Sequence, residues 1–441
     1  MTRRQAIKTA AMTAGAAALP EAALGAAASP PLAGALNVRQ APFGAKGDGK
    51  TDDTAAFQRA LDTCGAAGGG AVFAPAGNYF FAGVLNVPNE VALVGVARGP
   101  ISHNGLRDAG LPKPTDGGTT FLVTAGAGDD GGKSPAFLTL NTNSYLGGVA
   151  LYYPTQPHDA PVPTSFPYAV HMQGKNPTVE NVELLNPYQG ILAAGNERHT
   201  IRNVTGQPLY RGIYIDGVVD VGRVENVHFN PWWSGGDGPF AWQQAHGQAF
   251  VIARTDWQNF TNSFAFGYAV GFLFTQAGMG GCNGTFLGCG IDAANQAVRV
   301  EHCQPYGLLF GECNFTAFKG DNPSHLVCAP TFDGALKMSN CAFWGPTRQA
   351  ARIQGTGSVY LSGCDFYDLQ GPSAALTLDG TGGDASPLRA RILGCEFWRD
   401  APQIEVTGAV KGVASSNVFR GQARITNNST RQFVVGDNVA D

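Results

Sequence analysis

Short β-type runs recur along the chain, among them Gly190-Ile191-Leu192-Ala193, Gly212-Ile213-Tyr214-Ile215 and Ala297-Val298-Arg299-Val300. Successive side chains of a strand point to opposite faces, so Ile213 and Ile215 are expected inward and Tyr214 and Asp216 outward. A second signal precedes each run by about ten residues. Val179-Glu180-Asn181-Val182, Ile201-Arg202-Asn203-Val204 and Val224-Glu225-Asn226-Val227 follow one another at spacings of 22 and 23. Cysteine is read as continuing the same slot in Ser339-Asn340-Cys341-Ala342-Phe343-Trp344, Ser362-Gly363-Cys364-Asp365-Phe366-Tyr367 and Leu393-Gly394-Cys395-Glu396-Phe397-Trp398. Ser415-Ser416-Asn417-Val418-Phe419-Arg420 closes the series, Cys289 and Cys313 fall between, and Asn259 is a further member. A unit of 22 to 33 residues cannot bury its apolar face alone, whereas stacked units share a continuous core. The pattern therefore predicts an all-β chain, a right-handed parallel β-helix whose coils stack about 4.8 Å apart. Its repeating Asn and Cys occupy one inward corner.

Composition agrees with a large core: 44% of the 441 residues are hydrophobic and 14% charged. The net charge of −4, without Lys/Arg clusters after residue 8, argues against a nucleic-acid partner. The start, Thr2-Arg3-Arg4-Gln5-Ala6-Ile7-Lys8, then an Ala-rich stretch to Leu24 and Ala26-Ala27-Ala28, reads as a twin-arginine export signal over 1–28. The expected location is periplasmic or extracellular, with no membrane span and a single β-helix domain over 29–441. Nine cysteines in an exported chain would suggest disulfides. Their place in the ladder instead predicts a stack of reduced, buried thiols, with a Cys282–Cys289 bridge as the alternative.

The stretch Phe43-Gly44-Ala45-Lys46-Gly47-Asp48-Gly49-Lys50-Thr51-Asp52-Asp53-Thr54, running on through Leu61 and Gly68-Gly69-Gly70-Ala71-Val72-Phe73-Ala74-Pro75 to Tyr79, resembles the opening of the pectate-lyase-3 superfamily. Its members are β-helix enzymes related to polygalacturonases, rhamnogalacturonases and exo-β-1,3-glucanases. The resemblance implies a β-helix acting on polysaccharide. Read from the residues alone, Asp52 or Asp53 caps a helix whose apolar face is Ala56, Phe57, Ala60 and Leu61, and Gly65 ends it. That helix would cover the open end of the coil stack. Asp48, Asp52 and Asp53 are read as turn and cap residues, not as a metal loop.

Chemistry is expected where polar groups gather around Asp216. The coil from Phe229 to Ala249 is longer than its neighbours, and Trp232, Trp233, Trp242 and Trp257 fall in 26 residues. Flat rings with a polar handle suit sugar faces. Insertions near 99–132, with His103, Arg107, Asp108, Lys113, Asp116, Asp129 and Asp130, near 154–167 and near 230–248 are expected to wall a cleft. Glycoside hydrolysis needs two carboxyl groups. Asp216 and Asp256 are the first pair, with Asp237 and Glu197 in reserve. Tyr214, Trp232, Trp233, Trp242, His246, Arg254, Trp257 and His171 are the expected substrate contacts.

Polygalacturonase motifs are absent beyond Ile215-Asp216-Gly217 and His246-Gly247, so the resemblance assigns no catalytic residue. The leading reading is an exported glycoside hydrolase with a polysaccharide or oligosaccharide substrate and no required cofactor. One alternative is a polysaccharide lyase with Arg254 or Arg299 as base, where Ca2+ would assist. Another is a non-catalytic glycan-binding β-helix. Assembly into a homotrimer is left open.

Overall fold

A computed structural model describes residues 34–96, 118–130, 134–278 and 280–441. The residues of the expected export signal lie outside this range. The chain coils into a parallel β-solenoid. One sheet of 13 parallel strands takes one strand from each coil, from Leu85–Val87 to Ile425–Ser429. This is the first face. A second sheet of 27 strands bends and supplies the other two faces. The coil beginning at Arg211–Asp216 on the first face thus continues as Arg223–Glu225 on the second and His228–Phe229 on the third.

Pairing in strict register produces the core. On the first face Val170, Ile191, Ile213, Phe250, Phe272 and Val298 stand one above another, all fully buried. On the third face Phe343, Phe366, Phe397 and Phe419 form a column, their rings stacked 4.6 to 5.1 Å apart. Alternation of period two forces one side of each strand inward, and register repeats that side coil after coil.

The corner between the second and third faces separates two positions that the sequence pattern had merged. Asn181, Asn203, Asn226, Asn262 and Asn340 all take φ between 49° and 55°, a left-handed conformation that Asn tolerates better than most residues. These side chains face outward: Asn203 Nδ2 donates to Asn181 Oδ1 at 3.0 Å, and Asn226 Nδ2 to Asn203 Oδ1 at 2.9 Å. The following residue points inward, and there sit Cys289, Cys313, Cys341, Cys364 and Cys395, buried and unbridged. Cys282 is also free, so the Cys282–Cys289 bridge is absent. Asn259 is not a corner residue, because it pairs with Arg223 and Thr285 inside a strand. Asn203→Val is expected to cost about 1–2 kcal/mol, since a β-branched residue resists positive φ and the two side-chain hydrogen bonds to Asn181 and Asn226 are lost. Urea unfolding would read this, with Asn203→Gly much milder; equal midpoints for wild type and Asn203→Val would contradict it.

At the N-terminal end the helix Thr54–Ala66 buries Ala56, Phe57, Ala60, Leu61 and Cys64. Phe57 meets Tyr79, Phe81 and Phe121 edge-on at 4.9 to 5.5 Å. Asp52 Oδ1 accepts the Thr54 N–H, whereas Asp53 turns back to the Lys46 and Gly47 N–H groups. Gly65 lies within the helix rather than ending it, and Gly68 at φ 92° follows its last turn. Asp48 accepts from the N–H groups of Lys50 and Thr51, which makes it a turn residue.

Candidate active-site face

The outward side of the first face carries, coil by coil, His171 and Gln173, Leu192 and Ala194, Tyr214 and Asp216, Val251 and Ala253, then Leu273 and Thr275. The alternation read from sequence places these residues as found. His171 stands two rungs from Tyr214, with Leu192 between them.

Around the leading ends of these strands lies an aromatic belt that the sequence reading missed. Tyr188 and Tyr210 precede successive strands and their rings lie 5.2 Å apart; Trp242 packs on both at 5.7 and 5.8 Å. Within the belt, the Arg211 guanidinium sits 4.9 Å from the Tyr210 ring centroid and 5.5 Å from that of Tyr214. Its Nε donates to Gln248 Oε1 at 3.3 Å. Among the described residues Arg211 has no ion pair with a carboxylate, whereas Arg254 and Arg299 each have one and Arg198 has two. Tyr168 adjoins Arg211, and burial pushes its phenol up to about 12. Tyr188 and Tyr210 share one offset 22 residues apart, so the ladder itself carried the signal for the belt.

Tyr214 and His171 have opposite electrostatic settings. Burial first, and then the neighbouring Asp216 carboxylate, raise the Tyr214 phenol, with the Arg211 cation opposing. Burial lowers the His171 imidazole, so it is neutral at pH 7. His171 Nε2 lies 3.3 Å from the Ala194 carbonyl oxygen, which can only accept. The proton of the neutral ring therefore resides on Nε2, leaving Nδ1 as the acceptor.

At the trailing ends, Asp216 Oδ1 accepts the Arg254 backbone N–H at 3.2 Å. Asp256 Oδ2 accepts Arg254 Nη2 at 2.8 Å and its Oδ1 accepts Gln304 Nε2 at 2.9 Å. The Arg254 hydrogen bond holds the Asp256 carboxyl below its ordinary value. Arg254 Nη1 is buried and has no partner. Glu197 is engaged by Lys175 and Arg198 at 3.7 and 3.2 Å. Asp237 is exposed in the long coil.

The four tryptophans do not share one surface. Trp233 is 1% exposed and packs with Leu185 and Leu209, so it is a core residue and not a substrate contact. Trp232 lies against His228 at 4.7 Å. Trp257, 69% exposed, follows Asp256 and is held through its N–H by Asn283. Only Trp242 joins the belt, with His246 exposed beside it at 4.8 Å. The long coil is not all loop: Pro239–His246 is a helix with Pro at its start. Buried Gln207 pins it, accepting the Trp233 and Ser234 N–H groups and donating to Gln243.

The 154–167 insertion meets this coil through His158, whose Nε2 lies 3.0 Å from the Trp233 carbonyl oxygen. Of the 99–132 insertion, His103, Arg107, Asp108, Lys113 and Asp116 lie outside the described residues. Thr119–Val123 is a regular coil strand rather than loop. The Asp130 carbonyl oxygen accepts from Gln189 at 2.8 Å, which brings that segment to the belt side of the face.

A family model described as rhamnogalacturonase A/epimerase, pectate lyase-like matches residues 35–284. Alginate lyase 7 and mannuronan C5-epimerase AlgE3, both of Azotobacter vinelandii, are 47% identical to the chain over 64 residues. That match spans 13% of this chain and only 8% and 4% of those proteins. Among solved structures, the A-module of A. vinelandii mannuronan C-5 epimerase AlgE6 superposes with a TM-score of 0.50 at 15% identity, over 92% of this chain and 99% of that one. The N-terminal fragment of bacteriophage Phi29 gene product 12 gives 0.52 at 13% identity, over 92% and 71%. Likenesses at these identities establish a shared fold.

Proposed function

The chain belongs to the rhamnogalacturonase A/epimerase, pectate lyase-like family, and we propose that it is a polysaccharide-active enzyme whose substrate carries uronate and binds along the first face. The observation that carries this reading is Arg211, a half-buried guanidinium ringed by tyrosines and, among the described residues, without a carboxylate ion pair. Such a fork suits a sugar carboxylate, which it would bind through two parallel hydrogen bonds. The names of the short-match relatives, an alginate lyase and mannuronan epimerases, support the same substrate class.

The proton on the carbon beside a carboxylate becomes removable when the developing negative charge is stabilised. Arg211 supplies that stabilisation in this reading. Neutral His171 takes the proton through Nδ1, and protonated Tyr214 returns one. Delivered to the departing glycosidic oxygen, that proton completes elimination with a new carbon–carbon double bond. Delivered to the opposite face of the same carbon, it inverts the configuration instead. The donor set does not fit a protein-held Ca2+: both Asp256 oxygens are engaged by Arg254 and Gln304, and Glu197 Oε2 by Lys175 and Arg198. Among the described residues, no three acidic, His or Cys groups gather as a metal site.

Hydrolysis by Asp216 and Asp256 is the second reading, favoured by the pair's position at the trailing ends. Asp256, held ionised by Arg254, would be its base or nucleophile, and Asp216 would supply the proton. Incubation with polymannuronate, polygalacturonate and neutral glucans separates the readings. Ultraviolet-absorbing ends or inverted uronate signals in NMR spectra are expected, from the uronates alone. New reducing ends without unsaturation would establish hydrolysis and sink the leading reading. Export by the twin-arginine signal belongs to the same proposal, because a polymer substrate lies outside the cell.

A further inference from the structure

A cavity of about 300 Å³ lies on the outward side of the third face, and none of its walls belongs to the face just described. Asn262, Ser263, Asp292, Asn314, Thr316 and Trp344 contribute to its lining. Three independent features mark it. First, the strand Gly290–Ala294 carries one residue more than its neighbour between Ile291 and Ala294. That extra residue, Ala293, is fully buried at φ 54°. A non-glycine residue held there at a bulge is the kind of local strain that re-aims a neighbouring side chain. Second, the Thr316 hydroxyl is buried with no hydrogen-bond partner, in a residue only 1% exposed. Third, Trp344 stands 44% exposed on the rim of a cavity that also presents the polar side chains of Asn262, Asp292 and Asn314.

We propose that this cavity binds a neutral pyranose unit, with the apolar face of the sugar against Trp344 and its hydroxyls on Asp292, Asn262, Asn314 and Thr316. The donor and acceptor mixture fits hydroxyl groups, which can give and accept at once. No Lys or Arg lines the cavity, and Asp292 repels an anion, so a uronate finds no counter-charge there. Burial raises the Asp292 carboxyl, consistent with a group lacking the water it would have outside.

The rim also continues. Tyr367 and Trp398 occupy the position of Trp344 on the next two coils, since the preceding Phe343, Phe366 and Phe397 are in register. Trp398 is 42% exposed and its ring lies 5.2 Å from that of Tyr367. Neighbouring units of a neutral glycan would lie along this row. The chain would then hold a neutral matrix polymer on one face while acting on another polymer elsewhere.

The test is titration of the full chain with cellohexaose, mannohexaose and galactohexaose, followed by saturation-transfer NMR and tryptophan fluorescence. At least one neutral hexamer is expected to bind. Asp292→Asn and Trp344→Ala should each weaken it by roughly tenfold, a single stacking or charge-assisted contact. Arg211→Gln should leave it unchanged. Binding of none of the three, or wild-type affinity in Trp344→Ala, would overturn the proposal. Loss in Arg211→Gln with retention in Asp292→Asn would return the glycan to the first face. Urea midpoints for Asp292→Asn, an isosteric change, confirm that a loss of binding is not a loss of fold.

Discussion

Tyr214→Phe is expected to lower kcat on a uronate polymer by about 100- to 10,000-fold, the usual worth of a positioned proton donor, with KM changed little. The phenol is the protonated partner of the pair: burial and Asp216 hold it above its ordinary value. The neutral His171 ring two rungs away is the acceptor. Removing only the hydroxyl leaves the aromatic surface beneath Arg211 intact, so binding should survive. Depression of the His171 value below 6.5 places the acid limb of the activity profile below that pH, because activity is lost only once the imidazole is protonated. Wild-type turnover in Tyr214→Phe would remove this residue from the reaction. Accompanied by a collapse in Asp216→Asn, it would move the chemistry to the carboxylates.

The largest expected loss of stability comes from Phe286→Ala. Phe286 is fully buried and meets Phe310 at 4.5 Å, Phe274 at 5.0 Å, Phe260 at 5.4 Å and Phe272 at 5.6 Å. Truncation leaves a cavity among rigidly registered coils that cannot close around it, at a cost of about 3–5 kcal/mol. Set against a typical total of roughly 5–15 kcal/mol, that is a large fraction. Because each coil touches only its neighbours, the damage should be local, with new protease cleavage near residues 260–310. A urea midpoint shift worth less than about 1 kcal/mol would show that the coils can relax into the space.

The fold was legible because a solenoid writes its repeat into the chain. Asn181, Asn203 and Asn226 follow one another at one coil length, and that spacing alone implies stacking. The same evenness hid a one-residue offset: Asn203 turns outward at positive φ, whereas the cysteines one place later turn inward. Both are corner residues of similar size, and only the register of the flanking strands separates them. On the first face, strand alternation gave the outward direction of His171, Tyr214 and Asp216. Proximity in sequence misled for the tryptophans, since Trp233 was drawn into a small core with Leu185 and Leu209. The belt residues Tyr188, Tyr210 and Arg211 sit just ahead of or at strand starts, where alternation gives no direction. Their shared offset was visible, but their convergence on Trp242 depends on how the long coil folds back, which Gln207 decides from a distance.

The inward cysteine column has a last consequence. All nine cysteines are free, and in the column Cys313, Cys341, Cys364 and Cys395 each bond to the carbonyl oxygen two residues behind, at 3.2 to 3.6 Å. No disulfide ties one coil to another, so there is nothing for a reductant to open. Buried thiols of this kind are chemically inert, so an oxidant finds no exposed thiol to attack. The redox state of the surroundings is thus irrelevant to the cohesion of the solenoid, which rests on register and packing alone.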